Sequence, residues 1–454
     1  MRPRREAHKK TRTLTHKVRA SADETRQATK VPSAPTRSTT RRQHPPRLRV
    51  KEMGTRPITE FLPDGPPLTV DPLLAAIADQ ALTADQTRTI SPNVINDIKT
   101  SPTMRLSAST SIGGEQASVL QIGRELEAVA ARCTSTAWVL WNHLAVFHLF
   151  VGTLGPPHAP LLKEIVTNNE WVCFPAGAGS GVTGVIDGDC IVLNGRGSFS
   201  SGGRYADWAG VVFAVCDADG NRVEPLDIRF TIVPLSDPNV RIDPTWDGSS
   251  VRASATDDIH YEHVRVPLDR CADWFGANRA ETLRTVPVVD HRYREDWVGL
   301  SDVWLGWMGV GLVRAALTDA AEEITSRKAI LGKAMVSRPT VQVNLGRASS
   351  LVAAAAATME TACREIDERI AAEIVPTDAD YLRQVGLATS ALDQLRDAMT
   401  ELLSTQGGNG LRESGHFERR WRDFQAMPLH INAHRDRAHH QIGRFVLGEE
   451  LEPF

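Results

Sequence analysis

An α+β fold, mostly α, is what this sequence predicts, and three observations carry the prediction. Apolar residues recur at helical spacing from about Asp71 to Phe150 and again from Asp302 to Thr405. Between them, from Val172 to about Asp273, the chain alternates or runs in short β-branched and aromatic segments. Proline and glycine punctuate each change. The chain therefore divides into an N-terminal helical domain at 53–171, a central antiparallel β-domain at 172–285 and a C-terminal four-helix bundle at 286–454.

Taken in order, Leu73, Leu74, Ile77, Ala78 and Ala81 mark a first amphipathic helix, and Ser91-Pro92 starts a second with Pro at its first position. Gly113-Gly114 breaks the chain before the amphipathic helix Val119–Arg132. The next helix, from Thr134 to Phe150, is apolar on nearly every side, so other elements must enclose it. Val185–Leu193 alternates around Asp187-Gly188-Asp189 and predicts a hairpin, with further strands at Trp208–Cys216, Ile228–Val233 and His260–Val266. Period 3.6 returns over Asp302–Arg327, Gln342–Ile374 and Asp380–Thr405, with breaks at Pro376 and Gly407-Gly408.

Composition narrows the function classes. A hydrophobic content of 41% with 24% charged residues is ordinary for a globular protein. Six cysteines without CxxC or metal-type spacing predict reduced, mostly buried thiols and a cytoplasmic protein. Residues 1–51 hold sixteen Lys or Arg against three acids, a balance of +13, which leaves −16 for the remainder of a chain whose total is −3. Residues 1–52 read as a disordered basic arm or an over-extended start, Met53 being a natural alternative. The acidic remainder argues against nucleic-acid binding by the folded part, and no apolar run reaches the roughly 20 residues of a membrane span. No GxGxxG follows a strand, so a nicotinamide site is not expected.

Four segments carry candidate chemistry. Asn194-Gly195-Arg196-Gly197-Ser198-Phe199-Ser200-Ser201-Gly202 is a Gly/Ser-rich strand and turn, followed by Trp246-Asp247-Gly248 and Arg252-Ala253-Ser254-Ala255-Thr256. Arg327 precedes Gly332 and Gln342, and Gln406-Gly407-Gly408 closes the last long helix. Arg422-Asp423 is followed seven residues on by His430, with His434 four residues later. His143 sits in the apolar helix Trp138-Val139-Leu140-Trp141-Asn142-His143. His430 and His434 have zinc-ligand spacing, but no acidic partner completes an HExxH pattern and Arg435 and Arg437 repel a cation, so no metal is expected.

In their order along residues 70–450 these segments resemble the acyl-CoA dehydrogenase superfamily, and in particular its two-component flavin-dependent monooxygenases, such as the oxygenase components similar to hydroxyphenylacetate hydroxylase and dibenzothiophene monooxygenase. The resemblance implies an acyl-CoA dehydrogenase-like fold in which Phe199, Ser200 and Ser201 line the flavin edge, with Ser201 bonded near N5. It likewise implies that Ser254, Arg327, Gln406, Gly407 and Gly408 contact the cofactor, the last four across a subunit interface of a homotetramer or dimer. The two glycines of the family's Arg-Gly-Thr-Gly-Ser element are Ala253 and Ala255 here.

The function so implied is oxygenation of an aromatic or polycyclic small molecule through a C4a-hydroperoxyflavin, using O2 and FMNH2 or FADH2 from a separate NAD(P)H-flavin reductase. His430, with a pKa near neutrality, is the first candidate to deprotonate the substrate, with His434 on the same helical face and His143 on the substrate side. The dehydrogenases commonly carry Glu-Gly-Thr after the Arg-Asp pair, and that triplet is missing. The alternatives are an acyl-CoA dehydrogenase with a relocated base, an N- or S-oxygenase acting on an amino sugar or heterocycle, and a flavin-free scaffold of the same fold.

Overall fold

The computed structural model describes residues 56–452 apart from 64, 176, 178–179, 275–284, 330–331 and 432. The expectation for residues 1–52 falls outside the described residues. Six helices come first: α1 (Arg56–Phe61), α2 (Leu74–Thr87), α3 (Pro92–Thr100), α4 (Val119–Arg132), α5 (Thr134–Leu154) and α6 (Ala159–Thr167). Ser118 caps α4 by accepting from the Gln121 N–H, while Asp367, far along the chain, accepts from Val119 and Leu120 N–H and so ties that end to the last third of the fold. Helix α5 is long and apolar enough to cross a membrane, longer than the sequence suggested, yet 83% of that window is buried inside the fold.

Eight strands follow: β1 (Val172–Cys173), β2 (Gly181–Asp187), β3 (Cys190–Ser200), β4 (Trp208–Cys216), β5 (Ile228–Pro234), β6 (Val240–Asp243), β7 (Asp257–Pro267) and β8 (Ala272–Asp273). They form one sheet in the order β6-β7-β3-β2-β4-β5-β8, with β1 beside β4. The β2–β3 hairpin turns at Gly188, as the alternation predicts. The sheet is mixed where a purely antiparallel one was expected: β1 and β2 each pair with β4 in parallel, because β3, antiparallel to β2, lies between β2 and β4 in the chain and reverses its course before β4. A register shift between Leu193 and Asn194 and another between Gly197 and Ser200 interrupt the β3–β7 ladder, so the end of β3 is re-aimed out of the regular pleat.

The last third is α7 (Trp297–Ser326), α8 (Pro339–Ala371), α9 (Asp378–Gln406), α10 (His416–Phe424) and α11 (Arg435–Leu447). Thr377 and Asp380 make a reciprocal capping box at α9, and Asp296 caps α7 by accepting from Val298 and Gly299 N–H. Helices α7, α8 and α9 pack on one another, α10 and α11 complete the bundle, and α4 and α5 lie along α7. One apolar core therefore runs from Ile77 through Leu126, Trp141 and Val303 to Leu395 and Phe424, and the sheet has its own core around Val211, Phe213 and Ile259. The turn after β3, helix α5 and His430 meet at Trp138.

Candidate active site

Helix α5 supplies the floor. Trp138 and Trp141, three apart on one helical face, stand edge-on to each other with ring centroids 5.1 Å apart. Trp141 is anchored by its Nε1–H, which donates to the Ser301 carbonyl of α7 at 2.9 Å. The Trp138 Nε1–H donates to the Ser201 hydroxyl at 3.0 Å. Ser201 in turn lies 3.1 Å from the Thr256 hydroxyl, which is 2.7 Å from that of Ser254. Three buried hydroxyls and one indole N–H thus form a continuous polar row in an otherwise apolar wall.

The strand end explains which serine faces this row. Phe199 has φ +60° and Gly202 φ +78°, so the chain turns sharply at both sides of Ser200-Ser201. Gly202 and Gly203 N–H donate to the Ser254 and Ala255 carbonyls, docking the turn on the second segment. Ser200 points the other way, donating its hydroxyl to the Cys173 thiol at 3.1 Å inside the sheet, which takes it off the site. Phe199 stands 53% exposed at the rim, its ring 6.3 Å from Trp246.

His430 completes the opposite wall. Its ring is edge-on to Trp141 at 4.9 Å and to Trp138 at 5.8 Å. It follows a 3₁₀ turn, Met427–Leu429, in extended backbone. The Arg-Asp pair seven and eight residues before it holds this segment in place: Asp423 accepts from the Val251 N–H at 2.7 Å, Ser250 donates to the Arg422 carbonyl, and the Arg422 guanidinium bonds Asp85 and the Ser249 carbonyl. The spacing read from sequence is therefore a clamp between the bundle and the loop after β6. Burial, and secondarily the Arg437 charge, pull the His430 pKa down to about 4, which corrects the near-neutral value expected from the residue type. At physiological pH the ring is neutral.

Two histidines are placed elsewhere. His143 has both ring nitrogens engaged by backbone: one hydrogen-bonds the Met104 carbonyl at 2.9 Å and the other accepts from the Val172 N–H at 3.0 Å. It is a core residue joining α5 to β1, its pKa lowered to about 4 by burial. His434 is the N-cap position of α11, with non-helical backbone before it, so it does not share a helical face with His430.

The cofactor-contact candidates of the C-terminal bundle do converge. The Arg327 guanidinium bonds the Gln406 side-chain oxygen at 2.8 Å and its carbonyl at 3.3 Å, joining the ends of α7 and α9. Gly407 has φ +58°, and side chains added at Gly407 or Gly408 would meet nothing within 4 Å. The buried Gln406 Nε2 has no partner among the described residues. A guanidinium, an unmatched amide donor and an open glycine edge fit a diphosphate, and the Ser201 row beside two indoles fits a flavin ring. The sequence reading missed Thr256, the middle of the hydroxyl row, and Asp302, a buried carboxyl in α7. For Asp302 the signal was present, a lone acid within the apolar run Leu300–Leu305.

Residues 303–435 match the family described as acyl-CoA dehydrogenase, C-terminal domain. The fold is acyl-CoA dehydrogenase-like. Along most of its length the chain is similar to a pigment production hydroxylase of Rhodococcus sp. (strain ATCC 21145), 24% identical over 83% of this chain and 95% of that protein. It is also similar to the FADH(2)-dependent resorcinol hydroxylase, oxygenase component, of Rhizobium sp. (strain MTP-10005), 26% identical over 75% and 82%. Among solved structures, XiaF from Streptomyces sp. in complex with FADH2 and glycerol superposes with a TM-score of 0.77 at 21% identity, covering 87% of this chain and 97% of that one. The chain is thus similar to proteins named as hydroxylases, one of them the oxygenase component of an FADH(2)-dependent enzyme.

Proposed function

We propose that this protein is the oxygenase component of a two-component monooxygenase that takes FMNH2 or FADH2 from a separate NAD(P)H-flavin reductase and uses O2 to hydroxylate an aromatic or polycyclic small molecule. The observation that carries the reading is the shared indole: Trp138 hydrogen-bonds Ser201 on one side and abuts the His430 ring on the other. Reduced flavin, when bound, supplies the electrons that activate O2. Ser201, its hydroxyl held by Trp138 and Thr256, contacts the flavin edge, and Arg327 with the Gln406–Gly408 turn holds the diphosphate or phosphate end. His430, neutral, accepts the substrate's hydroxyl proton as a hydrogen bond and raises electron density on the ring that attacks oxygen. Trp138 and Trp141 exclude water from that contact. The homo-oligomer and the cytoplasmic setting are part of the same proposal, supported by the exposed Gly407-Gly408 edge and by six free cysteines.

The test is reconstitution with a flavin reductase, NADH, air and a panel of phenols, indoles and amino sugars. His430→Ala keeps flavin binding, while product formation drops by about 10² and peroxide replaces product. Coupling equal to wild type in that variant removes His430 from the mechanism. Bleaching of bound oxidised flavin by an acyl-CoA under argon overturns the oxygenase reading in favour of a dehydrogenase.

A further inference from the structure

Asp302 is a carboxyl that the fold leaves unanswered. It lies in α7, wholly buried, and neither side-chain oxygen has a hydrogen-bond partner among the described residues. It is no helix cap, since Asp296 already takes the free N–H groups of that helix. Buried polar groups are nearly always matched, so an acid with two unmatched oxygens in an apolar helix calls for a ligand.

Its neighbours place it beside the site. The preceding residue, Ser301, receives the Trp141 N–H, and the Trp141 ring stands against His430. The Arg437 charge acts on both Asp302 and His430, and the groups sharing this surrounding are Asp296 from the start of α7 and Tyr381 from α9. Burial, reinforced by Asp296, drives the Asp302 carboxyl well above its ordinary range. A carboxyl retains an acceptor oxygen in either protonation state, and the nearby Arg437 disfavours a second cation.

We propose that Asp302 is a specificity-determining residue that anchors the substrate by accepting a hydrogen bond from a second neutral ring N–H or O–H, other than the hydroxyl bonded to His430, so that the enzyme selects aromatics bearing this second donor over isosteres lacking it. This rests on the oxygenase reading of the site. Rejection of the analogue without the donor follows from leaving the buried acceptor unmatched.

The test is equilibrium dialysis of the flavin-loaded protein against 5-hydroxyindole and 5-hydroxybenzothiophene, and against 2,6-dihydroxynaphthalene and 2-naphthol, so that every probe keeps a hydroxyl for His430 and each pair differs in the second donor. Wild type favours the member of each pair that carries the second donor by about tenfold or more. Asp302→Leu and Asp302→Ala reduce that preference below about twofold, and Asp302→Asn, which keeps an acceptor oxygen, restores part of it. Absence of a preference in the wild type, or its survival in either apolar variant, overturns the proposal, and the wild-type measurement stands even where a variant fails to fold. Flavin fluorescence quenching and reductase-driven O2 uptake report the oxygenase reading separately. Their retention with no donor preference sinks the Asp302 assignment alone, and their loss in the wild type sinks both.

Discussion

Two adjacent serines separate at the residue scale. Ser201 satisfies the Trp138 N–H and the Thr256 hydroxyl, whereas Ser200 is spent on Cys173 inside the sheet. Ser201→Ala leaves a buried indole N–H unmatched, a loss of about 1–3 kcal/mol. Flavin affinity measured by fluorescence quenching is expected to drop by about tenfold, while Ser200→Ala leaves it within about twofold. An equal effect of both substitutions would contradict the orientation described. The sequence placed the turn but not its facing, because facing is decided by the positive φ of Phe199 and the docking of Gly202 on Ser254, neither visible as a pattern. His143 was illegible for a similar reason. Its partners, Met104 and Val172, are backbone groups 39 and 29 residues away, and only the fold shows that they occupy the ring.

Among the elements, the loop from Trp246 to Thr256 is the joint of the molecule. Asp423 and Arg422 grip it from α10, Ser135 from α5, and Tyr205 from the turn after β3. Its Ala255 carries φ +47°, fully buried, where the resembled element has glycine. Left-handed backbone costs an alanine about 1 kcal/mol, so Ala255→Gly should raise stability by about 0.5–1 kcal/mol despite the added freedom of the unfolded chain, read as a higher midpoint in urea. A lower midpoint would show that the methyl's packing outweighs the backbone strain. The elements themselves were legible: Trp208–Cys216 is the predicted strand residue for residue, and the three long helices appear within a few positions of their periodic segments. What periodicity could not supply was strand direction, since the parallel β2–β4 pairing depends on how β3 and the intervening turn route the chain.

Across the whole molecule, buried titrating groups oppose each other. Burial lowers the pKa of His143, His148 and His430 to about 4, so below pH 6.5 the unfolded chain takes protons that the native one refuses, and stability is lost from 6.5 down to 4. Burial raises Asp296 and Asp423 to about 6, so the native state takes protons first and gains stability as pH drops from 6 toward 3.8. Asp302, raised further by burial, acts in the same direction as these two carboxyls, so three carboxyls oppose three histidines and the effects largely cancel, each group of stated pKa contributing on the order of 3 kcal/mol across its window. Wild-type stability should be nearly flat between about pH 6.5 and 4 from these groups, and Asp423→Asn should lose midpoint temperature there, as the histidine contribution then outweighs that of the remaining carboxyls. Parallel melting profiles for the two proteins would refute this assignment.

Enclosure of α5 on every side has an evolutionary consequence. A wall that carries Trp138 and Trp141 while threading the main core cannot shift to admit a larger molecule without disturbing everything packed behind it. Adaptation to new compounds is therefore left to the irregular stretch around His430 and to the rim at Phe199. Diversification of chemistry in such a catalyst would proceed by remodelling its two edges around an unchanging indole pair.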